Sequence, residues 1–551
     1  MTARFPLAIG DGRDWLFTNG EWIEDGDGHT TVDPAQVRRD GSGMQGHHLA
    51  LHTGGAYADV RVRFEFMLRG HTDLGIVLRA QDASSFYLLH FPCCGQARRA
   101  QHFWAAFSRM DESGYLRCIK LEMIRRVPSN IGRWMAADLA LTGDRIRVQI
   151  DEHGVFEAED DAIGEPGRLG LFLHSIYNEG HGLRRVEVEA EPAPSSPWRD
   201  GVIAGTNWRH PVPTEETQGR IWQHPIDLVR FDDGEVLLHY QIQRDCSQDE
   251  SAQAEHRLVR SSDRGRTWSE PEVLADGGLT VTWSPPRLHL TPAGRLVALI
   301  SEPETGATGW RLCDSKDRGR SWSVPEAIDS GPVPAHISQV YIGPQAFLNT
   351  ADGALVLMAY GSHDLAHDDV SSVQWGAQHW QAFSSRSTDD GRAWSPFVNF
   401  DNSARDPDSD QLHGNLDVTE VSAADMGDGR VMALLRPMYS PWMWESWSHD
   451  GGATWGPCVR GPFPGYALSN MLRTGSGAVL VAGRLPSMCV RCSFDDGRTW
   501  DTGTVIDGSI WCMGCMGEVE PDLVLYCYWD CYEGLMRSQL LTVRSGQLEP
   551  G

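Results

Sequence analysis

The sequence lacks features that would assign it to two large classes of protein. No apolar run approaches the roughly 18 residues of a membrane-spanning helix, although 41% of the residues are hydrophobic. Basic residues are scarce, because 48 Lys and Arg stand against 75 Asp and Glu, and the formal net charge is −27. Nucleic acids and anionic membranes select basic surfaces. We therefore expect no nucleic-acid partner and no membrane partner.

The N-terminus also lacks the basic stretch and the apolar segment of a secretory signal, so we expect a cytoplasmic protein. Its twelve cysteines are then predicted to be mostly buried free thiols. Two Cys-x-x-Cys spacings and one pair of histidines in a loop are possible metal ligands. They are Cys489, Cys492, Cys512, Cys515, His363 and His367. Residues three apart on a strand point to opposite faces, which disfavours a metal site at the cysteine pairs. We expect no metal and no cofactor, and metal binding at the cysteines or at the two histidines is the open alternative.

What the sequence does contain is one eight-residue pattern in five copies, of the form S-x-D-x-G-x-(T/S/A)-W. In such a turn the Asp side chain can accept hydrogen bonds from backbone N–H groups, and Gly supplies a position with positive φ. The terminal Trp is expected to pack back between sheets. Each copy therefore predicts a self-capped hairpin turn. The copies span residues 261–268, 315–322, 387–394, 448–455 and 493–500.

The spacing of these turns predicts propeller blades. Their Asp residues are 54, 72, 61 and 45 residues apart, and a four-stranded blade takes about 40–50 residues with variable loops on one face. Upstream of each turn, two apolar strands flank a turn that ends in Gly. These strand pairs span 226–240, 288–300, 346–360, 419–435 and 470–483. A sixth unit, 517–530 with 535–543, has the strands but lacks the signature turn, and we predict six blades.

Five such turns on units of this kind resemble the Asp-box repeats of the sialidase (neuraminidase) superfamily, over residues 203–548. The resemblance implies an all-β fold with a six-bladed β-propeller. In that superfamily the Asp boxes lie on the face away from the active site. They also occur in binding propellers and in lyases, so they indicate the fold more strongly than the activity.

Residues 1–195 contain no Asp box and predict a separate β-sandwich domain. Their apolar residues alternate with polar ones or form short runs, as in strands. The segments are 57–68, 74–80, 85–91, 146–159, 168–175 and 184–191. Within them, 73–91 resembles concanavalin-like or laminin-G-like jelly-roll modules, which often hold carbohydrate; that the domain only packs on the propeller is the alternative. A linker at 196–202 leads to the propeller domain at 203–551.

The resemblance also implies where catalytic groups lie, at the starts of first strands and in the loops between second and third strands. Glu420 and Arg436 have the spacing of a Glu that acts on a nucleophile and an Arg that holds the substrate carboxylate. Asp249, twelve residues before Ser261, lies in the loop implied to carry the general acid/base, and Arg484 is a further implied arginine. The alternatives, a solvated strand end at Glu420 and a solvated acidic loop at Asp249, stay open.

Two positions depart from the superfamily pattern. His224 stands where the first arginine is implied, and Cys512 stands where the nucleophilic tyrosine is implied. Without that tyrosine, we expect a sugar that lacks an anomeric carboxylate rather than sialic acid. Other candidates for contact with a sugar are polar or aromatic residues at strand starts and rim loops, namely Arg287, Gln339, Tyr341, Trp442, Trp444 and Asn470.

These patterns predict an exo-acting glycoside hydrolase whose partner is a carbohydrate substrate, an oligosaccharide or a glycoside. Glu420 would be the nucleophile or base and Asp249 the acid, and the choice between retention and inversion stays open. One alternative is a lyase that acts on uronic-acid sugars through His224 and Tyr341. Another is a non-catalytic carbohydrate-binding propeller. The oligomeric state stays open.

Overall fold

The structure is a computed structural model, in which secondary structure is described for most of the chain. The described residues are 2–18, 21–33, 48–68, 71–94, 103–111, 113–124, 132–151, 154–175, 181–194, 209–214, 221–244, 254–274, 286–301, 310–328, 337, 339–364, 378–407, 416–437, 440–464, 470–507, 512–530, 535–544 and 546–551. Within these ranges the fold is all-β, and none of them contains a helix long and apolar enough to cross a membrane.

The chain divides into two compact units. The first comprises 1–208 with two later segments, 484–491 and 501–511, and the second comprises 209–483, 492–500 and 512–551. The predicted domain boundaries at 195 and 203 stay a prediction, since the first unit also takes in these two later segments.

The first unit begins with sixteen strands. They are β1 (Ala3–Pro6), β2 (Trp15–Thr18), β3 (Glu21–Glu24), β4 (Thr30–Asp33), β5 (His48–His52), β6 (Ala56–Met67), β7 (His71–Asp82), β8 (Ser85–His90), β9 (Cys93–Cys94), β10 (Phe103–Met110), β11 (Leu116–Ile124), β12 (Met135–Thr142), β13 (Arg145–Ile150), β14 (Gly154–Glu159), β15 (Arg168–Ser175) and β16 (Gly182–Ala193).

These strands form two antiparallel sheets that share one hydrophobic core. The first has the order β14-β13-β12-β6-β16-β4-β3, with β1 paired to β16, and the second runs β2-β5-β15-β7-β8-β10-β11, with β9 paired to β7. Along β6, Val62, Phe64 and Phe66 are buried while Arg61 is exposed, which is the alternation of a half-buried strand. The likeness to concanavalin-like modules stays a prediction.

One sequence-based strand assignment needs correction, and others were missed. Residues 146–159 do not form one strand but the two paired strands β13 and β14. Asp151 and Gly154, at φ 39° and 136°, interrupt the extended run, because positive φ is incompatible with a continuous strand. The strands β1 to β5 and β9 to β12 were not predicted.

The second unit carries most of the remaining strands. They are β17 (Arg209–Pro211), β18 (Ile221–Arg230), β19 (Val236–Arg244), β20 (Ala254–Ser261), β21 (Glu272–Val273), β22 (Arg287–Leu290), β23 (Leu296–Ser301), β24 (Trp310–Ser315), β25 (Glu326–Ala327), β26 (Gln339–Asn349), β27 (Leu355–Asp364), β28 (Gln378–Ser387), β29 (Val398–Asn399), β30 (Val418–Gly427), β31 (Arg430–Pro437), β32 (Trp442–Ser448), β33 (Val459–Pro464), β34 (Asn470–Arg473) and β35 (Val479–Gly483), followed by β36 (Met488–Ser493), β37 (Thr504–Asp507), β38 (Cys512–Glu520), β39 (Leu523–Asp530), β40 (Leu535–Arg544) and β41 (Gln547–Pro550).

The second unit has the sheet arrangement of a propeller. Four sheets take four consecutive strands each, β18 to β21, β22 to β25, β26 to β29 and β30 to β33. A further sheet has the order β17-β40-β39-β38, so a strand from the start of the unit pairs with strands from the end of the chain. The fifth repeat gives β34 and β35 to this unit, whereas β37 pairs with β11 of the first unit. The count of six blades therefore stays a prediction.

The Asp-box turns have the predicted hydrogen bonding. In the first copy, Asp263 Oδ1 accepts from the Thr267 backbone N–H at 2.8 Å, and its Oδ2 accepts from the Thr267 hydroxyl at 2.6 Å. Ser261 Oγ accepts from the Gly265 N–H at 2.7 Å. Arg264 and Gly265 adopt φ 67° and 86°, which is the left-handed conformation that favours Gly.

The Asp-box tryptophans pack between repeats. Trp268 Nε1 donates to Ser538 Oγ on β40 at 3.3 Å, and Trp455 Nε1 donates to Ser384 Oγ on β28 at 2.8 Å. In both cases the partner strand belongs to a different sheet. The motif therefore closes its own hairpin and also links it to a neighbouring sheet, which explains why it recurs.

Candidate active site

Six strands, one from each repeat, line a cavity of about 460 Å³ in the second unit. They are β18, β22, β26, β30, β34 and β38. Four of them are irregular: the pairing register shifts between Pro225 and Asp227, between Ile342 and Phe347, between Glu518 and Glu520, and between Val418 and Val421. Bulges re-aim side chains, and the last of these irregularities contains Glu420.

Glu420 and Arg436 form an ion pair, in agreement with their predicted pairing. Arg436 Nη1 donates to Glu420 Oε2 at 2.8 Å, and the two side chains are 24% and 14% exposed. Thr419 Oγ1 donates to the backbone carbonyl of Arg436 at 3.2 Å, so β30 and β31 are tied together where the ladder is irregular. A charge-assisted bond of this length fixes the carboxylate, and its partial exposure leaves it open to a ligand.

Three aromatic rings form a cluster on the neighbouring sheet. Tyr341 and Tyr360 are opposite each other on β26 and β27 and stack at a centroid distance of 5.5 Å. Trp380, on β28, lies 5.8 Å from Tyr341 and 5.9 Å from Tyr360. Both tyrosines are half-buried, and Trp380 is buried. Such rings offer an apolar surface with polar edges, which suits sugars.

The electrostatics of Tyr360 relate the aromatic cluster to the charged groups. Burial raises the pKa of Tyr360 well above its usual range, and the charge of Glu420 raises it further, while Arg436 and Arg287 oppose the shift. Burial also raises the pKa of Tyr341. Both phenols are therefore protonated at neutral pH, and they can donate hydrogen bonds or a proton but do not act as phenolates.

Arg287 is committed to protein acceptors. Its Nε and Nη2 donate to Asp227 Oδ1 at 3.0 and 2.8 Å, and its Nη1 donates to the carbonyl of Gly343. The side chains of Arg287 and Asp227 are 5% and 9% exposed. Burial alone would raise the pKa of Asp227, but Arg287 and the hydrogen bond from His239 outweigh it and lower the pKa. These contacts favour a structural role for Arg287, although it was predicted to bind substrate.

Two buried histidines extend this network. His239 Nδ1 lies 3.1 Å from Asp227 Oδ2, and its Nε2 lies 3.1 Å from His256 Nδ1. Burial, assisted by His239, lowers the pKa of His256 to about 3. His256 is therefore neutral at physiological pH, and the hydrogen-bonded chain runs from Arg287 through Asp227 and His239 to His256.

The other predicted residues have varied surroundings. His224 is 9% exposed and packs edge-on against Trp529 at 5.1 Å. Asn470 lines the cavity, and its Oδ1 accepts from the Met516 backbone N–H at 3.2 Å. Gln339 begins β26, opposite Ser362.

Two tryptophans and one arginine complete the set. Trp442 lies under the Arg460 guanidinium, 5.3 Å from the ring centroid, whereas Trp444 is only 4% exposed and belongs to a core cluster, which favours a packing role. Arg484 is 3% exposed and opens a segment of the first unit. Asp249 lies outside the described residues. All these assignments to substrate contact stay predictions.

Metal ligands do not gather in the described part of the chain, where no group of three or more His, Cys, Asp or Glu side chains could hold an ion. Cys512 begins β38 opposite Asp530, and His367 lies outside the described residues. The eight described free cysteines are all buried, in line with the predicted thiols, and they are Cys93, Cys118, Cys313, Cys458, Cys489, Cys492, Cys515 and Cys527.

Sequence reasoning missed three residues of the site: Asp227, His239 and Tyr360. A signal existed for two of them. Asp227 and His239 are polar residues inside otherwise apolar strands and are directly opposite each other, and buried polar residues usually have a hydrogen-bonding partner. Nothing in the spacing of Tyr360 and Trp380 indicated that they approach Tyr341.

Comparison with known proteins agrees with the fold. Residues 281–511 match a family described as a BNR repeat-like domain. Together with the repeated four-stranded sheets and the Asp-box turns, this match supports a β-propeller with BNR-like repeats. A search of curated protein sequences found no match.

Solved structures with a similar fold include several sialidases. The Hadza microbial sialidase Hz136 has 15% identity and a TM-score of 0.47, over 96% of this chain and 99% of that one. The leech intramolecular trans-sialidase has 12% identity and a TM-score of 0.42, over 96% and 98%. An α-L-arabinanase from Penicillium chrysogenum has 13% identity and a TM-score of 0.41, over 61% and 97%. At these values the similarities carry no argument about activity.

Proposed function

We propose that this protein is a glycoside hydrolase that removes a terminal sugar from an oligosaccharide or glycoside, with Glu420 as a catalytic carboxylate. The observation that carries the proposal is the 2.8 Å pair between Glu420 and Arg436. This carboxylate is oriented, partly exposed and within electrostatic range of the Tyr360 ring. Glycosidic bond cleavage uses a pair of carboxylates on either side of the anomeric carbon, and aromatic rings bind the apolar faces of sugars.

In this mechanism Glu420 attacks the anomeric carbon or activates a water molecule, and Arg436 holds its carboxylate in position through the 2.8 Å ion pair. Asp249 is the proposed acid that protonates the leaving oxygen. If the two carboxyl groups are about 5 Å apart, the enzyme retains the anomeric configuration, and a separation of about 6.5–9.5 Å gives inversion. The enzyme is not a standard sialidase in this proposal, because His224 and Cys512 replace the arginine and tyrosine that the superfamily resemblance implies.

The test is release of reducing sugar from a panel of sialosides, uronides, rhamnosides and neutral glycosides, comparing the wild type with Glu420→Gln. This substitution keeps the shape of the side chain and removes its charge. We expect turnover to fall by about 10²-fold or more, the usual effect of losing a positioned catalytic group. The matched control is Glu445→Gln, since Glu445 lies on β32 of the same sheet and accepts only a long hydrogen bond, 3.5 Å from Trp447 Nε1. Equal activity in both variants would refute the assignment of Glu420.

A lyase is the second candidate, because the half-buried phenol of Tyr341 is protonated and close to Tyr360. A lyase needs a proton donor for the leaving oxygen and a base at the carbon next to a uronate carboxylate, for which His224 is the proposed base. A lyase leaves an unsaturated product that absorbs in the ultraviolet, whereas a hydrolase does not. Absence of either product, with sugar binding retained, would instead favour a carbohydrate-binding propeller.

A further inference from the structure

We infer that the site selects an uncharged sugar and discriminates against sugars that carry a carboxylate. The inference rests on the proposed function, since it concerns the substrate class of the same site. It follows from the charge balance of two arginines, Arg436, which was expected to hold a substrate carboxylate, and Arg287, which was expected to contact the sugar.

The first step is that the charge of Arg287 is already compensated by a buried carboxylate. Asp227 neutralises its charge through two hydrogen bonds, and backbone carbonyls of Ile226, Gly343 and Pro344 accept its remaining bonds. Both members of the ion pair are more than nine-tenths buried. A substrate carboxylate would have to displace Asp227, which would leave a buried charge without its partner, and this is strongly unfavourable.

The second step concerns Arg436, whose positive charge is balanced by Glu420. A carboxylate placed on Arg436 would stand beside the carboxylate of Glu420, and two like charges that share one cation repel each other. The two ion pairs thus sum to zero charge, and the molecule as a whole carries −27. An anionic sugar would enter against this field.

The third step concerns the two tyrosines that are proposed to bind the sugar. Tyr341 and Tyr360 offer half-buried rings and protonated hydroxyl groups. These groups suit hydroxyl-bearing rings with an apolar face, and they give no charge compensation to an acid. The charge balance and the aromatic surface therefore favour the same neutral class of sugar.

The experiment uses sugar pairs that differ only at one carbon, galactose against galacturonate and glucose against glucuronate. Binding of the free sugars is measured by calorimetry, and turnover is measured on the matching aryl glycosides. We expect the wild type to favour the neutral member of a pair by at least about tenfold, as sites that leave a charge without a partner reject it. Glu420→Gln removes the negative charge beside Arg436, so the preference in binding should shrink or reverse by a similar factor.

Asp352→Asn is the matched control, because Asp352 pairs with Arg386, neither residue lines the cavity, and the substitution takes the carboxylate away from that arginine instead. It should leave the preference unchanged. A wild type that favours the uronate overturns the inference while hydrolysis still upholds the proposed function. If neutral sugars bind selectively but no glycoside is cleaved, the proposed function fails and the inference on binding stands. If neither member of any pair binds, or if the control shifts the preference as much as Glu420→Gln, the inference is refuted.

Discussion

The glycines of the repeated turns allow the cost of a side chain to be separated from the cost of a backbone angle. Gly452, in the Asp box that ends β32, and Gly353, in the turn before β27, have nearly the same φ, 84° and 82°. A Cβ at Gly353 would meet nothing within 4 Å, whereas a Cβ at Gly452 would lie 2.8 Å from Cγ2 of Val356. Replacing each by Ala thus imposes the same backbone strain and a different contact.

The two magnitudes follow from these distances. A non-glycine residue in the left-handed region costs about 1–2 kcal/mol, so Gly353→Ala should destabilise the protein by that amount. Gly452→Ala should add about 1–3 kcal/mol for overpacking, because carbon atoms prefer separations of about 3.5–4.0 Å. Val356 is fully buried within a core cluster, and it therefore has little room to move away.

The assay is urea unfolding followed by tryptophan fluorescence, with midpoints and slopes compared between variants. The variant Val356→Ala combined with Gly452→Ala should be more stable than the sum of the single effects predicts, because the double substitution removes the clash. Equal losses in Gly452→Ala and Gly353→Ala, or strict additivity in the double variant, would refute the argument from close contact.

Three further predictions concern the charged network. Arg287→Met should destabilise the fold by about 3–5 kcal/mol, as it leaves the buried Asp227 without its cation, and Asp227→Asn added to it should restore part of the loss in a denaturation series. The pKa of His256 is lowered from 6.5 to about 3. Between these two pH values the imidazole is protonated in the unfolded chain and neutral in the folded protein. Stability should therefore fall by up to about 1.4 kcal/mol per pH unit below pH 6.5, and His256→Gln should flatten this slope in unfolding measured from pH 7 to pH 5. In the last Asp box, hydrogen bonds from Thr499 lower the pKa of Asp495 to about 2. The ionised Asp495 carboxylate stabilises the fold fully above pH 3.8, and this stabilisation is lost as the pH falls to about 2. Asp495→Asn should therefore destabilise the protein near pH 6 and differ little from the wild type near pH 2.

The parts of the fold that were predictable are those with local rules. Each Asp box contains its own hydrogen-bond donors and acceptors within eight residues, and for this reason its geometry at Asp263 and Thr267 could be anticipated from the pattern. The break between β13 and β14 was not anticipated, since alternation of apolar and polar residues continues across Asp151. The strand β17 pairs with β40, which lies more than 300 residues later in the chain. No local sequence pattern predicts such a pairing.

The candidate site divides in the same way. Glu420 and Arg436 were predicted together from the superfamily resemblance, and they lie on adjacent strands of one hairpin, where spacing in sequence fixes spacing in the sheet. Tyr360 was not predicted because it lies on a different sheet from Glu420, and sequence spacing does not fix distances between sheets. A shift of one residue in the register of either strand would point the side chain to the opposite face of its sheet.

The two arginines show why a residue type alone does not define a binding site. Arg287 and Arg436 are equally suited by chemistry to hold a substrate carboxylate, and both were predicted to contact the substrate. Their partners separate them: Arg287 is enclosed by Asp227 and backbone carbonyls, whereas Arg436 holds a carboxylate that is itself partly exposed. Arg287, which donates to buried protein groups, lines the cavity and stabilises the fold. Arg436, which orients a partly exposed carboxylate, is proposed to position a catalytic group. Removing the acid in each case, through Asp227→Asn and Glu420→Gln, should thus change stability in the first and turnover in the second.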